Sequence, residues 1–170
     1  FCTDLSEKLC QKSLLSVQAD EEYLPFKKHS FDLITAPLNL HTINDIPGTL
    51  IQIKRCLKPD GLFMAALFGN ETLSILRDIL ARAELELYGG CSPRIAPFAN
   101  MKQMGDLMQR AGFNLPVIDH EILTVTYDHI FKLCHDLRFM GEGNALRDRS
   151  GKIITRRFFD KAQEIYQKTN

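Results

Sequence analysis

The sequence has no excess of charge of either sign and no long hydrophobic run. Among its 170 residues, 21 Lys and Arg side chains balance 21 Asp and Glu side chains. A chain without a basic surplus is not typical of a general nucleic-acid or membrane-surface binder. No apolar run approaches the roughly 18 residues that a membrane-spanning helix needs, and no segment reads as a signal peptide. We therefore expect no nucleic-acid partner and no membrane span.

The sequence also lacks the short motifs of several catalytic classes. It contains no Walker A loop, no GxSxG elbow and no HExxH helix, which leaves serine hydrolysis and zinc proteolysis without support. Its five histidines have no metal-ligand spacing, and we expect no metal site. The five cysteines are scattered without a CxxC pair, which favours reduced thiols in a cytosol-like compartment. A glycine-rich turn that could open a dinucleotide-binding fold is absent as well.

What the sequence does contain is an alternation of apolar strands and amphipathic helices. Residues 31–36 and 61–68 are short continuous apolar runs, as parallel strands covered on both faces require. Residues 47–57 between them carry an apolar stripe at helical spacing, and residues 58–61, Lys-Pro-Asp-Gly, predict a turn that ends this helix. The pattern indicates a right-handed βαβ unit. We therefore predict an α/β fold, a Rossmann-like doubly wound and mostly parallel sheet with helices on both faces.

The remainder of the chain continues the alternation and predicts one domain over residues 1–170. The further predicted elements are a helix from Asn70 to about 87, an irregular stretch at 88–98, a helix over 101–111 that ends at Gly112, a strand over 115–127, a helix from about 130, a polar loop at 140–151 and a helix over 153–168. We expect the loops near 88–98 and 140–151 to be lids or insertions.

The amino-terminal residues predict two strands with an unusually short connection. Residues 1–4 read as the end of one strand and residues 13–18 as the next, with only nine residues between Asp4 and Leu14. A parallel crossover usually needs a dozen residues or more. Either the connecting helix has one or two turns, or residues are missing around Cys10, and the second alternative is the one we expect.

Polar side chains follow several of the predicted strands, at the sheet edge where doubly wound folds bind ligands. Asp4 ends the first strand, Asp20 follows the second, and residues 37–41 follow the strand at 31–36. A carboxylate there can accept hydrogen bonds from ribose hydroxyls or from an adenine amino group. Each acid can also be a solvated turn residue or a helix cap. His41 is either a structural histidine or a cofactor or substrate contact.

Three segments resemble the class I, type 11, S-adenosylmethionine-dependent methyltransferases: LPF-x4-FDLI, LH-x2-ND-x-PG and LKPDGLF. Five others are similar to a narrower group, the mitochondrial complex I assembly factor and arginine hydroxylase family with its bacterial homologues. They are ADEEYLPF, LFGNETLSILR, GGCSPRIAPF, LMQRAGF and DLRFMGEGNALRDR. This resemblance covers roughly residues 17–168. The malonyl-carrier-protein methyltransferase of biotin synthesis resembles the chain more distantly.

The resemblance implies S-adenosylmethionine as the cofactor and assigns roles to residues of this sequence. Asp4 would hold the ribose, Ala19 and Asp20 would face the adenine, and Ala36, Leu38 and His41 would flank the methionine end. The implied cofactor-binding residues are Asp4, Leu5, Ala19, Asp20, Ala36, Leu38 and His41. His41 is also the candidate general base. The substrate candidates lie in the loops specific to the narrower group and are Arg94, Asn144 and Arg147.

The resemblance implies a methyltransferase that acts on an O or N acceptor, mainly by holding it in line with the methyl group. That acceptor would be a small molecule or a protein side chain, with a respiratory complex I subunit among the candidates. One alternative is a protein-modifying, arginine hydroxylase-like assembly factor of complex I. Another is a scaffold with a degenerate cofactor pocket. The protein would be cytoplasmic in a bacterium and would lie in the mitochondrial matrix in a eukaryote.

The sequence departs from the family pattern in three places. The glycine-rich motif that holds the methionine moiety is expected before Phe1, and the last strand of the fold beyond Asn170. Thr42 stands where relatives usually carry Trp. Because a central strand would lie outside the chain, we expect the 170 residues not to fold stably or bind cofactor without the rest of the molecule.

Overall fold

The structure, a computed structural model, describes residues 1–144, 146, 149 and 155–169. In chain order its elements are β1 (Cys2–Asp4), α1 (Glu7–Cys10), β2 (Ser16–Gln18), β3 (Phe31–Pro37), α2 (Ile46–Cys56), β4 (Leu57–Ala66), α3 (Ser74–Tyr88), α4 (Met101–Arg110), α5 (Ile130–Phe139) and α6 (Arg156–Thr169). The chain divides into two compact units. The first comprises Phe1–Gly69 and Phe98–His120, and the second Asn70–Pro97 and Glu121–Asn170.

Strands β1 and β2 form a parallel pair in the first unit, with Cys2 opposite Ser16 and Asp4 opposite Gln18. Helix α1 between them has a single turn. Of our two alternatives for this connection, the structure has the short helix, and the expectation that residues are missing around Cys10 stays a prediction. One turn suffices because each strand is only three residues long, so the chain has little distance to return.

Strands β3 and β4 form the second parallel pair, joined by α2, and confirm the predicted βαβ unit. The side chain of Asp45 accepts a hydrogen bond from Gly48 N (2.9 Å), which caps the first turn of α2. Leu50, Ile53 and Cys56 are buried on the inner face of this helix. The apolar stripe at helical spacing therefore did identify the face that enters the core.

The Lys-Pro-Asp-Gly turn at residues 58–61 lies within the bounds of β4, contrary to the prediction of a turn before the strand. Helix α2 ends at Cys56 and β4 begins at once with Leu57, which pairs with Phe31. The register then shifts, and Leu33 pairs with Leu62. The turn is thus a bulge that the ladder closes on both sides. The strand also ends at Ala66, two residues before the predicted end.

Helix α4 completes the first unit and agrees with its prediction. Asn100 Oδ1 accepts from Gln103 N (2.8 Å), and Gln103 Oε1 accepts from Asn100 N (2.9 Å), which is a reciprocal capping box. The chain leaves the helix through Gly112, whose φ of 86° lies in the left-handed region.

The second unit is helical, with α3 packed against α6 and α5 against α6. Its buried core residues are Leu76, Ile79, Leu80, Ala83, Ile130, Phe158, Ala162 and Ile165. The first N–H of α5, that of Ile130, donates to the side chain of Gln163 on α6 (2.8 Å). This bond satisfies a buried helix-end donor that has no partner in its own helix.

Two other predictions of secondary structure were wrong, the start of one helix and the presence of one strand. Helix α3 begins at Ser74 rather than at Asn70, because Leu73 adopts a left-handed φ of 57° that a helix cannot include. Residues 115–127 form no strand, and Leu115 and Val117 are more than 90% exposed. β-forming side chains favour a strand only where a neighbouring strand accepts their backbone hydrogen bonds.

The last helix has the predicted position, although its predicted start at residue 153 lies outside the described residues. None of the helices in the described part of the chain combines the length and the apolar character needed to cross a bilayer.

Candidate functional site

Asp4 and Asp20 follow adjacent parallel strands and lie at the same edge of their sheet. The pairing of Asp4 with Gln18 brings the ends of β1 and β2 side by side. Ala19 N then donates to Asp4 O (3.2 Å) and continues the ladder by one residue beyond the strand. The structure therefore brings Asp4, Ala19 and Asp20 together, as the order of strands and acids predicts.

Each of the two carboxylates keeps one oxygen available for a ligand. Asp4 Oδ1 accepts from Ser6 N (2.7 Å), and Asp20 Oδ1 accepts from Glu22 N (2.9 Å). Within the described residues, no group hydrogen-bonds to the Oδ2 atom of either aspartate. The local bonds hold each carboxylate in one orientation, so its second oxygen is presented at the sheet edge.

Leu5 lies beside Asp4, and its side chain is exposed. Its carbonyl oxygen accepts a hydrogen bond from Gln18 Nε2 (2.9 Å), which ties the loop after β1 to the end of β2. The backbone of Leu5 therefore helps to position the acidic edge.

The turn after β3 carries the next three predicted contacts. Ala36 is buried and pairs with Ala65 of β4. Leu38 adopts a left-handed φ of 54°, uncommon for a leucine, while its N–H donates to Ala66 O (2.8 Å). This conformation turns the chain sharply at the strand end, and no pattern in the sequence signals it.

His41 lies in the short 3₁₀ turn Leu40–Thr42 and is 9% exposed. Its ring packs against Phe68 (centroids 4.7 Å apart) and Phe98 (5.6 Å), and these two rings are 5.9 Å apart. We call these three residues the aromatic cluster. Sequence reasoning missed Phe68 and Phe98 as neighbours of His41, although Phe98 closes the GGCSPRIAPF motif that carries part of the resemblance.

Glu22 connects the acidic loop after β2 with the start of α2. Its Oε1 atom accepts from Asn44 N (2.7 Å) and Asp45 N (3.2 Å) at the amino end of that helix. The side chain of Gln52 donates to Glu22 O (2.6 Å) and accepts from Leu24 N (3.0 Å). These bonds fasten the Asp20 loop beside the segment that leads from His41 into α2. The contacts span 22 to 30 residues in sequence, and no local pattern reveals them.

Asn39 places a further acceptor in the turn between Leu38 and His41. Its Oδ1 atom is buried and has no hydrogen-bond partner among the described residues. Its backbone carbonyl accepts from the hydroxyl of Thr42 (2.7 Å), which holds the turn closed. A buried acceptor without a partner is costly, so a ligand donor at this position would stabilise the turn.

These residues fit S-adenosylmethionine. The free carboxylate oxygens of Asp4 and Asp20 suit the ribose hydroxyls and the adenine amino group, and Asn39 Oδ1 suits an ammonium or hydroxyl donor.

The second unit holds the substrate candidates Arg94 and Asn144. Arg94 forms two hydrogen bonds to the buried carboxylate of Glu84, from Nη2 to Oε1 (2.8 Å) and from Nε to Oε2 (3.2 Å). Its guanidinium also lies over the ring of Phe158, 4.4 Å from the centroid. Asn144 Nδ2 donates to Pro93 O (3.2 Å), so the two candidate loops are in contact. Arg147 lies outside the described residues.

The Glu84 carboxyl is ionised although it is buried. Burial alone raises the pKa of a carboxyl. Against this, Ser92 donates from its N–H (2.9 Å) and its hydroxyl (2.8 Å), and Arg94 adds its charge. The bonds outweigh burial and hold the pKa of Glu84 below its ordinary value. This network folds the GGCSPRIAPF loop onto α3.

Comparison with known proteins finds similarity both in sequence and in fold. Residues 1–65 match the family described as "Methyltransferase domain". The chain is 44% identical over 159 residues to human "Arginine-hydroxylase NDUFAF5, mitochondrial", covering 90% of the chain and 46% of that protein. It is 34% identical over 154 residues to the "Malonyl-[acyl-carrier protein] O-methyltransferase" of Xylella fastidiosa, covering 91% of the chain and 50% of that protein. The chain thus spans about half the length of the curated relatives it matches.

Solved structures confirm the fold class. An S-adenosylmethionine-dependent methyltransferase from Mesorhizobium loti superposes with a TM-score of 0.54 at 16% identity, over 86% of this chain and 74% of that one. One from Thermotoga maritima superposes with a TM-score of 0.51 at 21% identity, over 66% and 54%. At such identities these likenesses concern the fold alone. With the sequence matches they bear out the predicted Rossmann-like α/β architecture, that of the class I S-adenosylmethionine-dependent methyltransferases, and the methyltransferase domain family matches residues 1–65 of the chain.

Proposed function

We propose that the protein binds S-adenosylmethionine and transfers its methyl group to an O or N acceptor. The observation that carries the proposal is the adjacency of Asp4 and Asp20 at one sheet edge, each with a carboxylate oxygen available. The hydrogen bonds of Glu22 and Gln52 support it, because they fasten this edge beside the turn that bears Asn39 and His41.

The residues of the first unit would act by binding and positioning. S-adenosylmethionine, when bound, supplies an electrophilic methyl group on a sulfonium centre. Asp4 would accept hydrogen bonds from the ribose hydroxyls and Asp20 from the adenine amino group. Ala36, Leu38 and Asn39 would border the methionine end. Such holding of partners in line is a sufficient source of catalysis for this reaction class.

His41 has two roles within this proposal. Its burial in the aromatic cluster supports a packing role, in which the ring and its neighbours keep water from the methionine end. A general-base role requires the ring to reach the acceptor's proton. Replacement of His41 by Phe separates the two, since it keeps the packing and removes the base.

A second function is favoured by a specific observation: relatives named arginine hydroxylase share 42–44% identity with the chain, against 33–34% for those named malonyl-carrier-protein methyltransferase. On this alternative the protein modifies a protein side chain, and a respiratory complex I subunit is the candidate partner. The protein would then act in the mitochondrial matrix in a eukaryote, or in the cytoplasm of a bacterium. A scaffold with a degenerate cofactor pocket is the non-enzymatic alternative.

An incubation assay with cell extract separates these functions. The full-length protein is supplied with S-adenosylmethionine that carries a labelled methyl group, and products are resolved by mass spectrometry. A labelled small acid or carrier protein supports methyl transfer. An oxygen added to a protein arginine without the label supports the hydroxylase. Absence of both products, in a protein that also fails to bind the cofactor, supports the scaffold.

A further inference from the structure

Residues 121–126 in the second unit have the composition of a β-strand, yet no strand lies beside them. The segment reads Glu-Ile-Leu-Thr-Val-Thr, without Gly or Pro, and four of its six residues are β-branched. All six residues are exposed, and Ile122, Leu123 and Val125 are 69%, 78% and 67% exposed. Several large apolar side chains that are exposed together in one short segment indicate an interaction surface.

The backbone of this segment is available for pairing. Within the described part of the chain, no N–H or C=O group of residues 121–126 takes part in a hydrogen bond. The residue that follows is anchored, because Tyr127 O accepts from the hydroxyl of Tyr166 (2.6 Å) and the Tyr127 hydroxyl donates to Asp136 (3.1 Å). A strand-forming segment with unpaired backbone groups beside a fixed point can accept a second strand along its edge.

The sequence of the segment is close to a palindrome about Thr124. Leu123 mirrors Val125, and Ile122 mirrors Thr126. An antiparallel pair of two copies centred on Thr124 therefore sets an apolar side chain opposite an apolar one, and a β-branched residue opposite a β-branched one. Cross-strand pairs of these kinds stabilise a sheet.

The charged residues around the segment also suit a second copy. Glu121, the one charged residue within it, falls opposite Tyr127 in this register. Further out, the order Asp-His recurs at 119–120 and at 128–129, so each acid falls opposite an imidazole. Like charges directly opposite each other would oppose pairing, and this register contains no such pair. The complementary partner is thus the same segment of another copy of the chain.

The anchored carbonyl of Tyr127 selects the residues that form the ladder. In an antiparallel pair only alternate residues exchange backbone hydrogen bonds. Because Tyr127 O already accepts from Tyr166, the ladder falls on Ile122, Thr124 and Thr126. Leu123 and Val125 then occupy the non-hydrogen-bonded positions, where opposite side chains approach each other most closely. The two apolar side chains would cover each other on both sides of the axis.

We propose that two copies of this chain associate through residues 121–126, which form an antiparallel β-pair about a two-fold axis at Thr124. Such an interface uses the same surface on both subunits and closes on itself, so it yields a dimer. The inference rests on this segment alone and is independent of the proposed methyl transfer.

Sedimentation and hydrogen exchange of the full-length protein test the dimer. The proposal predicts a reversible monomer–dimer equilibrium, with protection of the Ile122, Thr124 and Thr126 amides that increases with the fraction of dimer. A protein that stays monomeric at all concentrations would overturn it, as would assemblies that grow beyond the dimer. Equal protection of these amides in the monomer would also overturn it, because another segment of the same chain would then be their partner.

Paired substitutions test the register. Leu123→Glu and Val125→Lys should each weaken the dimer about tenfold, because each removes an apolar contact from both symmetry-related pairs. The double variant sets a glutamate opposite a lysine in both pairs and should recover most of the lost affinity. The matched control Leu85→Lys replaces another exposed apolar residue of the same unit, on α3, and should change nothing.

Circular dichroism establishes that each of these variants is folded. A dimer that persists unchanged in both single variants contradicts the proposal, because association would then use another surface. A double variant that associates more weakly than either single variant contradicts the register centred on Thr124.

Discussion

At the scale of single residues, the Glu84–Arg94 pair is a buried ion pair in the described part of the second unit. Both side chains are largely buried, with 6% and 13% of their surfaces exposed. Because Glu84 also binds the N–H and hydroxyl of Ser92, it fixes the loop after α3 as well as the guanidinium. We infer that Arg94 positions its loop, whereas its predicted substrate contact remains a prediction.

Replacing Glu84 by Gln should destabilise the protein by about 3–5 kcal/mol, because it leaves a buried guanidinium without its counter-charge. Urea unfolding of the wild type and the variant measures the change. Glu86→Gln is the matched control, since it breaks an ion pair to Lys161 from a half-exposed position on the same helix. We expect that control to cost less than about 1 kcal/mol. Equal losses in the two variants would show that burial of the pair is unimportant.

The same carboxyl predicts a loss of stability in acid. Its folded-state pKa lies below the ordinary value, so the unfolded chain takes up a proton first as the pH falls. The ionised Glu84 carboxylate therefore contributes its full stabilisation above the pKa of the unfolded chain, about 4.3. This contribution is lost as the pH falls through the pKa of Glu84 in the folded protein. Melting temperatures measured from about pH 7 to about pH 3 should fall less steeply for Glu84→Gln than for the wild type. A parallel decline of both proteins contradicts this assignment.

At the scale of elements, the bulge at residues 58–61 explains why position 61 is a glycine. A Cβ on Gly61 would lie 3.0 Å from Lys58 O and 3.2 Å from Phe31 O, both backbone atoms that cannot move without opening the ladder. Gly61→Ala should therefore cost about 1–3 kcal/mol in thermal or denaturant unfolding. A Cβ on Gly69 would have no heavy atom within 4 Å, so Gly69→Ala should be nearly neutral. Similar stabilities of the two variants would mean that the bulge is not closely packed.

The Glu22 contacts link two elements and predict an effect on the site without a change of any ligand group. Glu22→Ala removes the acceptor of Asn44 N and Asp45 N at the start of α2. We expect affinity for S-adenosylmethionine to fall about three- to tenfold, because the loop that carries Asp20 would lose roughly the net free energy of one hydrogen bond that holds it in place. Its neighbour Glu21 makes no such contact in the described residues, and Glu21→Ala is the control. A fall of equal size in both variants would point to a loss of surface charge.

Elements were predictable where their signals are local. The stripe of α2 and the capping box of α4 each lie within a few residues, and both elements were predicted. The strand expected at 115–127 failed because pairing depends on a distant partner. The early start expected for α3 failed because Leu73 leaves the helical region. In the site, Asp4 and Asp20 were found from strand order, whereas Glu22, Phe68 and Phe98 depend on contacts between distant segments.

At the scale of the whole molecule, the continuous apolar strands predicted a sheet covered on both faces. In the described residues each sheet has two strands, and Leu33, Leu62 and Met64 on β3 and β4 are about half exposed. Sequence reasoning could thus identify the strands but not what covers them. The prediction of one domain over residues 1–170 likewise stays a prediction.

The central claim is that Asp4 and Asp20 together bind the adenosine part of S-adenosylmethionine. Titration calorimetry of the full-length protein tests it most directly, with Asp4→Asn, Asp20→Asn and the exposed control Asp106→Asn on α4. Since a hydrogen bond to a charged group contributes about 1.5–3 kcal/mol, each site variant should weaken binding about tenfold to a hundredfold. The control should bind as the wild type does. Wild-type affinity in both Asp4→Asn and Asp20→Asn would contradict the claim.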